Sequence, residues 1–216
     1  MLRVAGLYLE LLVTPVRFCP FYDWFIIGYE TGVSAPVVKG ALVLALAVGA
    51  ALVFRRRSPL VTLAVAWLLL GLLPVSQIVP IIVVAAERFL YLPMLGFALL
   101  VGLLLARALA WGQERGWPRL AALAVAVLLL AYTARTATRV PDWRSDETLN
   151  LATARAFPET PTPYLNLATY YERFQNDPAK AMAALAKALE RAPGWQPALA
   201  RAAHLQPAVA PPPPAP

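Results

Sequence analysis

The sequence predicts an all-α protein: a multispanning helical membrane domain, residues 1–135, followed by a short soluble region of helical hairpins, residues 141–205. Three observations predict it. Of the 216 residues 60% are hydrophobic and only 14% charged, with a mean hydropathy of +0.61, a membrane-protein composition. Long apolar runs alternate with arginine-rich or proline-rich breaks, as spans alternate with loops. After Pro141 the apolar residues thin out and recur at helical spacing.

The charge balance narrows the function classes. A net charge of +7 invites a nucleic-acid reading, but the basic residues are mostly arginines scattered at the ends of apolar runs, a topological placement. No basic face or binding motif accompanies them, so no nucleic-acid partner is expected. A single cysteine, Cys19, and a single histidine, His204, exclude an internal disulfide and an ordinary Cys/His zinc cluster. The abundance of Ala, Leu, Arg and Pro hints at a bacterial gene, hence an inner-membrane location.

Taken in order, residues 4–15 are apolar but short and carry Glu10. They read as the stump of a spanning helix that began earlier in a longer protein. Residues 16–36 are dense in aromatics (Phe18, Phe21, Tyr22, Trp24, Phe25, Tyr29), which settle at headgroup level. In this interfacial loop Asp23 and Trp24 are candidate site residues, Asp23 as a catalytic carboxylate or as a backbone cap. Clear spans follow at 36–54, 60–73, 92–110 and 120–132, the third with Gly96 and Gly102 for close packing. Counting the first, partial one, this makes about five spans.

Residues 72–97 organise the membrane domain. They are apolar, yet Pro74, Pro80 and Pro93 interrupt them and Glu87 and Arg88 charge them. A charge at the bilayer centre costs roughly 2.5–3.5 kcal/mol on insertion scales, and prolines free backbone groups that protein or water must satisfy. Residues 75–91 therefore read as an irregular connection on a membrane face, with Glu87 and Arg88 at a watery or protein-lined place. If the loop of Arg55, Arg56 and Arg57 is cytoplasmic, Arg3, Arg107, Arg115 and Arg119 join it. The opposite short loops hold Arg17, Lys39 and Arg88, with Arg135 and Arg139 after the last span. The aromatic loop, the Glu87–Arg88 segment and everything after residue 135 then face outward.

Beyond Pro141, Ser145 caps a helix begun by Asp146 and Glu147, with Leu149, Ala152 and Ala156 on one face. Tyr164, Leu167, Ala168 and Tyr171 follow at i, i+3, i+4, i+7, then Ala181, Leu185 and Ala188, then Pro193. This is the tetratricopeptide pattern with one extra residue between the helices; an ordinary αα-hairpin is the alternative. One complete repeat, 163–193, lies between half-repeats, 145–157 and 197–205. Asn166, Thr169, Tyr170 and Arg173 are candidates for a groove that takes a protein or peptide partner. Residues 206–216 read as a disordered proline-rich tail.

Phe21-Tyr22-Asp23-Trp24, the stretch LLPVSQIVPI at 72–81, ERFLYLPMLGF at 87–97 and Trp143 ahead of the repeat helices together resemble one group. It is the transmembrane and tetratricopeptide-repeat proteins, which include O-mannosyltransferases of the GT-C glycosyltransferase superfamily and bacterial relatives. The resemblance implies a carboxy-terminal portion of such an enzyme, a polyprenyl-phosphate-linked sugar as donor, transfer on the luminal or periplasmic side, and repeats on that side. The family's acidic catalytic motif belongs to an earlier loop, which Asp23 does not match. A lipid phosphate needs an interfacial cation, and arginine's planar fork suits it: Arg88, with Glu87 orienting it and Tyr91 nearby. The alternative for this pair is a tie between the loop and its neighbours. The alternative function is a non-catalytic, membrane-anchored interaction module.

Overall fold

The computed structural model describes residues 2–14, 19–28, 32–79 and 83–209, and the chain forms two compact units, 1–138 and 139–216. Among the described residues extended pairing is limited to one bridge, Tyr22 with Ala85. The all-α expectation holds.

The first unit contains α1 (Leu2–Val13), α2 (Trp24–Ile27), α3 (Ala35–Phe54), α4 (Pro59–Leu72), α5 (Tyr91–Glu114) and α6 (Pro118–Arg139). Prolines open α3 and α4 just after Ser34 and Ser58, positions where the missing N–H has no helical partner to lose. Three stretches are long and apolar enough to cross a membrane, Ala35–Phe54, Glu87–Glu114 and Pro118–Arg144; Pro59–Val75 is apolar but shorter. This is a membrane protein. Two of these helices outrun the expected spans: α5 continues through Gly112 to Glu114, just before Gly116 in the left-handed region at φ 79°, and α6 to Arg139, just before Pro141. Pro93 does not interrupt α5 either. It is the third residue of that helix, in the turn that lacks N–H acceptors anyway.

Close backbone approach sets the packing of this unit. A Cβ on Gly40 would run into the carbonyl of Leu2, and one on Gly96 into the carbonyl of Ala64 and the backbone of Leu68. Thus α1 lies tightly on the first turns of α3, and α5 on α4, as small residues allow in lipid. Trp67 Nε1 adds a bond to the carbonyl of Leu92 at 3.1 Å. The expected partner glycine, Gly102, is different: nothing stands within 4 Å of where its Cβ would be.

At about 1.5 Å per residue, the 12 residues of α1 reach about 18 Å, short of a bilayer core. It meets Gly40 through Gly6 and Ala86 through Tyr8, and the carbonyl of Val13 accepts from the Tyr132 hydroxyl at 2.7 Å. Arg3 is accordingly not at the tri-arginine end. Its Nη1 is 3.6 Å from the Cβ position of Gly28, in the aromatic loop. With Arg3 moved across, the charge bias rests on the cluster of Arg55, Arg56 and Arg57.

The second unit begins with a 3-10 turn, Val140–Arg144, and continues through α7 (Asp146–Ala156), α8 (Thr162–Arg173), α9 (Pro178–Arg191) and α10 (Gln196–Val209). Ser145 and Thr148 cap α7 reciprocally, each side chain meeting the other's backbone N–H at 3.1 Å. Asp177 caps α9, accepting from the Lys180 N–H at 2.9 Å. That bond, with the adjacent ammonium, holds the Asp177 carboxyl below its usual range. Consecutive helices pack on one another around Leu167, Ala168, Ala181, Ala184, Leu185, Ala188, Ala198, Ala202 and Leu205. The alanines keep the backbones close while Tyr164, Tyr171 and Trp195 close the sides. Two expectations are corrected here. The buried face of α7 is Asn150, Thr153 and Ala154 instead of Leu149, Ala152 and Ala156, because hydrogen bonds let polar groups go inside. And α10 continues through Val209; of the expected tail, residues 210–216 lie outside the described residues.

Candidate functional site

The membrane unit brings its distant motifs together at one place. Tyr22 N–H donates to the Ala85 carbonyl at 2.8 Å, laying the 21–24 segment against the residues before Glu87. Tyr22 is itself buried, and its hydroxyl accepts from the Cys19 N–H at 3.1 Å. From α1, the hydroxyl of Tyr8, fully buried, accepts from Ala86 N–H at 3.4 Å. Gln77 lies in the left-handed region at φ 60°. Its amide donates to the carbonyls of Val83 and Val84 at 3.1 and 2.9 Å, fixing the connection on the α4 side.

Arg88 emerges from this cluster in a 3-10 turn, Glu87–Leu90. Its guanidinium lies over the ring of Phe21 at 4.7 Å and near that of Phe89 at 5.2 Å, and the side chain is exposed. Rings hold the cation flat from one side and leave its donors usable. Glu87 is half-buried beside it, and Tyr91, opening α5, is 80% exposed. Arg88, Tyr91 and Trp24 therefore share exposure and membership of the same end, whereas Asp23 is occupied locally. Its Oδ1 accepts from the N–H groups of Phe25 and Ile26 at 3.0 and 3.2 Å, capping α2. Of the two readings of Asp23, this is the backbone cap. Among the described residues no three His, Cys, Asp or Glu side chains gather as metal ligands would.

In the second unit Asn166, Thr169, Tyr170 and Arg173 follow one stripe of α8 but do different things. Asn166 Nδ2 donates to Asn150 Oδ1 of α7 at 3.1 Å. Thr169 bonds back to the Leu165 carbonyl. Tyr170 stacks on Phe174 at 5.6 Å, and Arg173 is exposed. Beside them the Tyr171 hydroxyl donates to Glu147 at 3.0 Å, and burial with this carboxylate raises the phenol above its ordinary value of 10.0. Glu172 meets Arg201 of α10 at 2.6 Å, an ionic contact outside hydrogen-bond geometry, since both atoms lack a hydrogen-bond partner.

Glu147 was read from the sequence only as a first-turn acid, and Asn150 was not singled out, yet for Asn150 a signal existed. The pentapeptide Leu-Asn-Leu-Ala-Thr occurs at 149–153 and again at 165–169, and both threonines bond back to their own i−4 carbonyl. The two asparagines bond to each other across the packed helices α7 and α8. Replacing Asn166 by Leu is expected to cost about 1–3 kcal/mol, because Asn150 Oδ1 is left buried without its donor. The double variant Asn150→Leu/Asn166→Leu is expected to cost less than the sum of the singles by about 0.5–3 kcal/mol. Simple additivity in chemical denaturation would show that the bond carries nothing.

Compared with known proteins, the chain matches no family model and no solved structure. Among curated proteins it is similar to two from Drosophila melanogaster. It resembles pieces of two O-mannosyl-transferases. Identity is 39% over 87 residues with Protein O-mannosyl-transferase Tmtc3, covering 38% of this chain and 9% of that protein. With Protein O-mannosyl-transferase Tmtc2 it is 35% over 95 residues, covering 44% and 10%. The chain thus matches about a tenth of the length of each relative.

Proposed function

We propose that this chain is a membrane-embedded, carboxy-terminal part of a GT-C-like glycosyltransferase that uses a polyprenyl-phosphate-linked sugar. The observation that carries the reading is the exposed Arg88 guanidinium, backed by Phe21 and Phe89, in a membrane protein similar to segments of two O-mannosyl-transferases. A phosphate at the membrane face would be met by the arginine fork, with Tyr91 beside it and Tyr8 and Gln77 holding the backbone that presents it. In this reading the connection and residues after 139 share the extracytoplasmic compartment. The second unit is then a tetratricopeptide region for acceptor or partner. The buried Ala168, Ala181 and Ala188, with Leu167 and Leu185 between helices, support that assignment. The composition favours a bacterial inner membrane.

The chain's own residues supply binding and orientation in this scheme; the acidic group that performs transfer is not assigned to it. Arg88→Ala is expected to weaken binding of a polyprenyl phosphate to the protein in nanodiscs by about 10- to 100-fold, the range of a charge-assisted hydrogen bond. Arg88→Lys should recover only part of this. Unchanged affinity in a variant that keeps its thermal stability removes Arg88 from the donor site.

A second reading, a membrane-anchored interaction module without catalysis, draws on the capping role of Asp23 and on Phe174, 71% exposed and stacked on the half-buried Tyr170. Transfer activity of any assembly containing the chain, lost with Arg88→Ala, would decide against it.

A further inference from the structure

A cleft of about 210 Å³ opens between α1, α2 and the first turns of α3, apart from Arg88. Its walls include Leu7, Ile27 and Pro36, and among the described residues its charged groups are Arg3, Glu10 and Lys39. Lys39 donates to Glu10 Oε2 at 2.7 Å, with the side chains 59% and 52% exposed. An ion pair so exposed is weak and readily rearranged, and neither partner is saturated: an ammonium has three donors and a carboxylate about four acceptor sites. Arg3, also in the wall, reaches toward Gly28 at the end of α2.

Depth identifies the environment. Lys39 is the fifth residue of α3, a helix long and apolar enough to cross a membrane, and a lysine one turn inside a span reaches for the headgroups. The cleft therefore opens where lipid heads lie, and its described residues set two cations and one carboxylate around an apolar floor. A plain anion would satisfy the cations but face Glu10. An anionic lipid head would do the same. A head with both a phosphate and an ammonium answers all three groups, and a primary ammonium, unlike a quaternary one, can donate hydrogen bonds to the carboxylate.

We propose that this cleft binds a phospholipid whose head carries a phosphate and a primary ammonium. The phosphate lies on Arg3 and Lys39, the ammonium takes Lys39's place on Glu10, and the chains run from Leu7 and Ile27 along α3. The proposal is independent of the transferase reading and requires only that α3 lies in lipid.

The experiment is native mass spectrometry of the full chain taken from vesicles of equal phosphatidylethanolamine, phosphatidylcholine and phosphatidylglycerol. The wild type should retain phosphatidylethanolamine over either competitor by about tenfold, the discrimination expected of one charge-assisted hydrogen bond. Glu10→Gln should bring that ratio close to one while lipid remains bound, and Lys39→Gln should reduce retention of all three. Wild-type protein that keeps no lipid, or keeps the three equally, overturns the proposal before any variant is made. So does a Glu10→Gln protein with an unchanged ratio. Saturation by soluble phosphoethanolamine at the same concentration as the lipid would reassign the cleft to a free metabolite and overturn the lipid assignment.

Discussion

Leu185→Ala is expected to destabilise the second unit by about 2–5 kcal/mol, the usual cost of deleting a fully buried leucine. Leu185 is 0% exposed, and Ala181, Ala184 and Ala188 of its own helix pack in the same core. None of them is large enough to move into the space it leaves. A unit of this size has roughly 0.05–0.15 kcal/mol of stability per residue, so the loss is a large share of the total. At about 4–8 °C per kcal/mol for a domain of 60–100 residues, melting should fall by tens of degrees, readable by hydrogen exchange in α8 and α9 of the intact protein in detergent. Leu199→Ala, in a side chain 38% exposed, should stay within about 0.5 kcal/mol. Equal effects from the two substitutions would mean that α9 does not pack as described.

The second large effect belongs to the membrane unit. Gly96→Ala adds one methyl group where the carbonyl of Ala64 and the backbone of Leu68 already stand. Backbone cannot rotate away as a side chain does, so α5 must withdraw from α4, at a cost of about 1–3 kcal/mol or more. Lipid offers little hydrophobic compensation for the lost contact, since acyl chains are as apolar as leucine. The bond from Trp67 to the Leu92 carbonyl lies in the same contact and should be lost with it, which Trp67 fluorescence would report. Gly102→Ala is the matched control: its Cβ meets open space, and alanine is the better helix former. If Gly96→Ala is as stable as Gly102→Ala in a thermal assay, the close approach is absent.

The spans and most of the soluble core were legible because burial there follows hydrophobicity. Apolar runs marked α3, α4, α5 and α6, and alternating small and large residues marked the seam of α8 with α9. Legibility failed where a polar group decides the structure. The inner face of α7 is Asn150 and Thr153, hidden from a count of apolar residues because their partners are an asparagine of α8 and a carbonyl one turn back. Asp23 had two readings, a catalytic carboxylate or a backbone cap, and the two N–H groups it accepts from lie outside any apolar pattern. Arg88 was recognisable as an unusual charge, but the ring beneath it comes from a loop far away in sequence, and no local pattern announces such a pairing. α1 was legible as a short, largely apolar stretch, but the seat of Gly6 on Gly40 joins two segments that no local pattern links.

The duplicated pentapeptide has a consequence for how this region can change. The two asparagines are the same amino acid, yet across their contact Asn166 donates the hydrogen bond and Asn150 accepts it, with Asn150's own amide turned to the carbonyl of Asp146. Once that polarity is set, the copies are no longer interchangeable: a replacement tolerable at the giver is wrong at the receiver. Two identical words thereby acquire different grammar, and from that point each drifts under its own constraint.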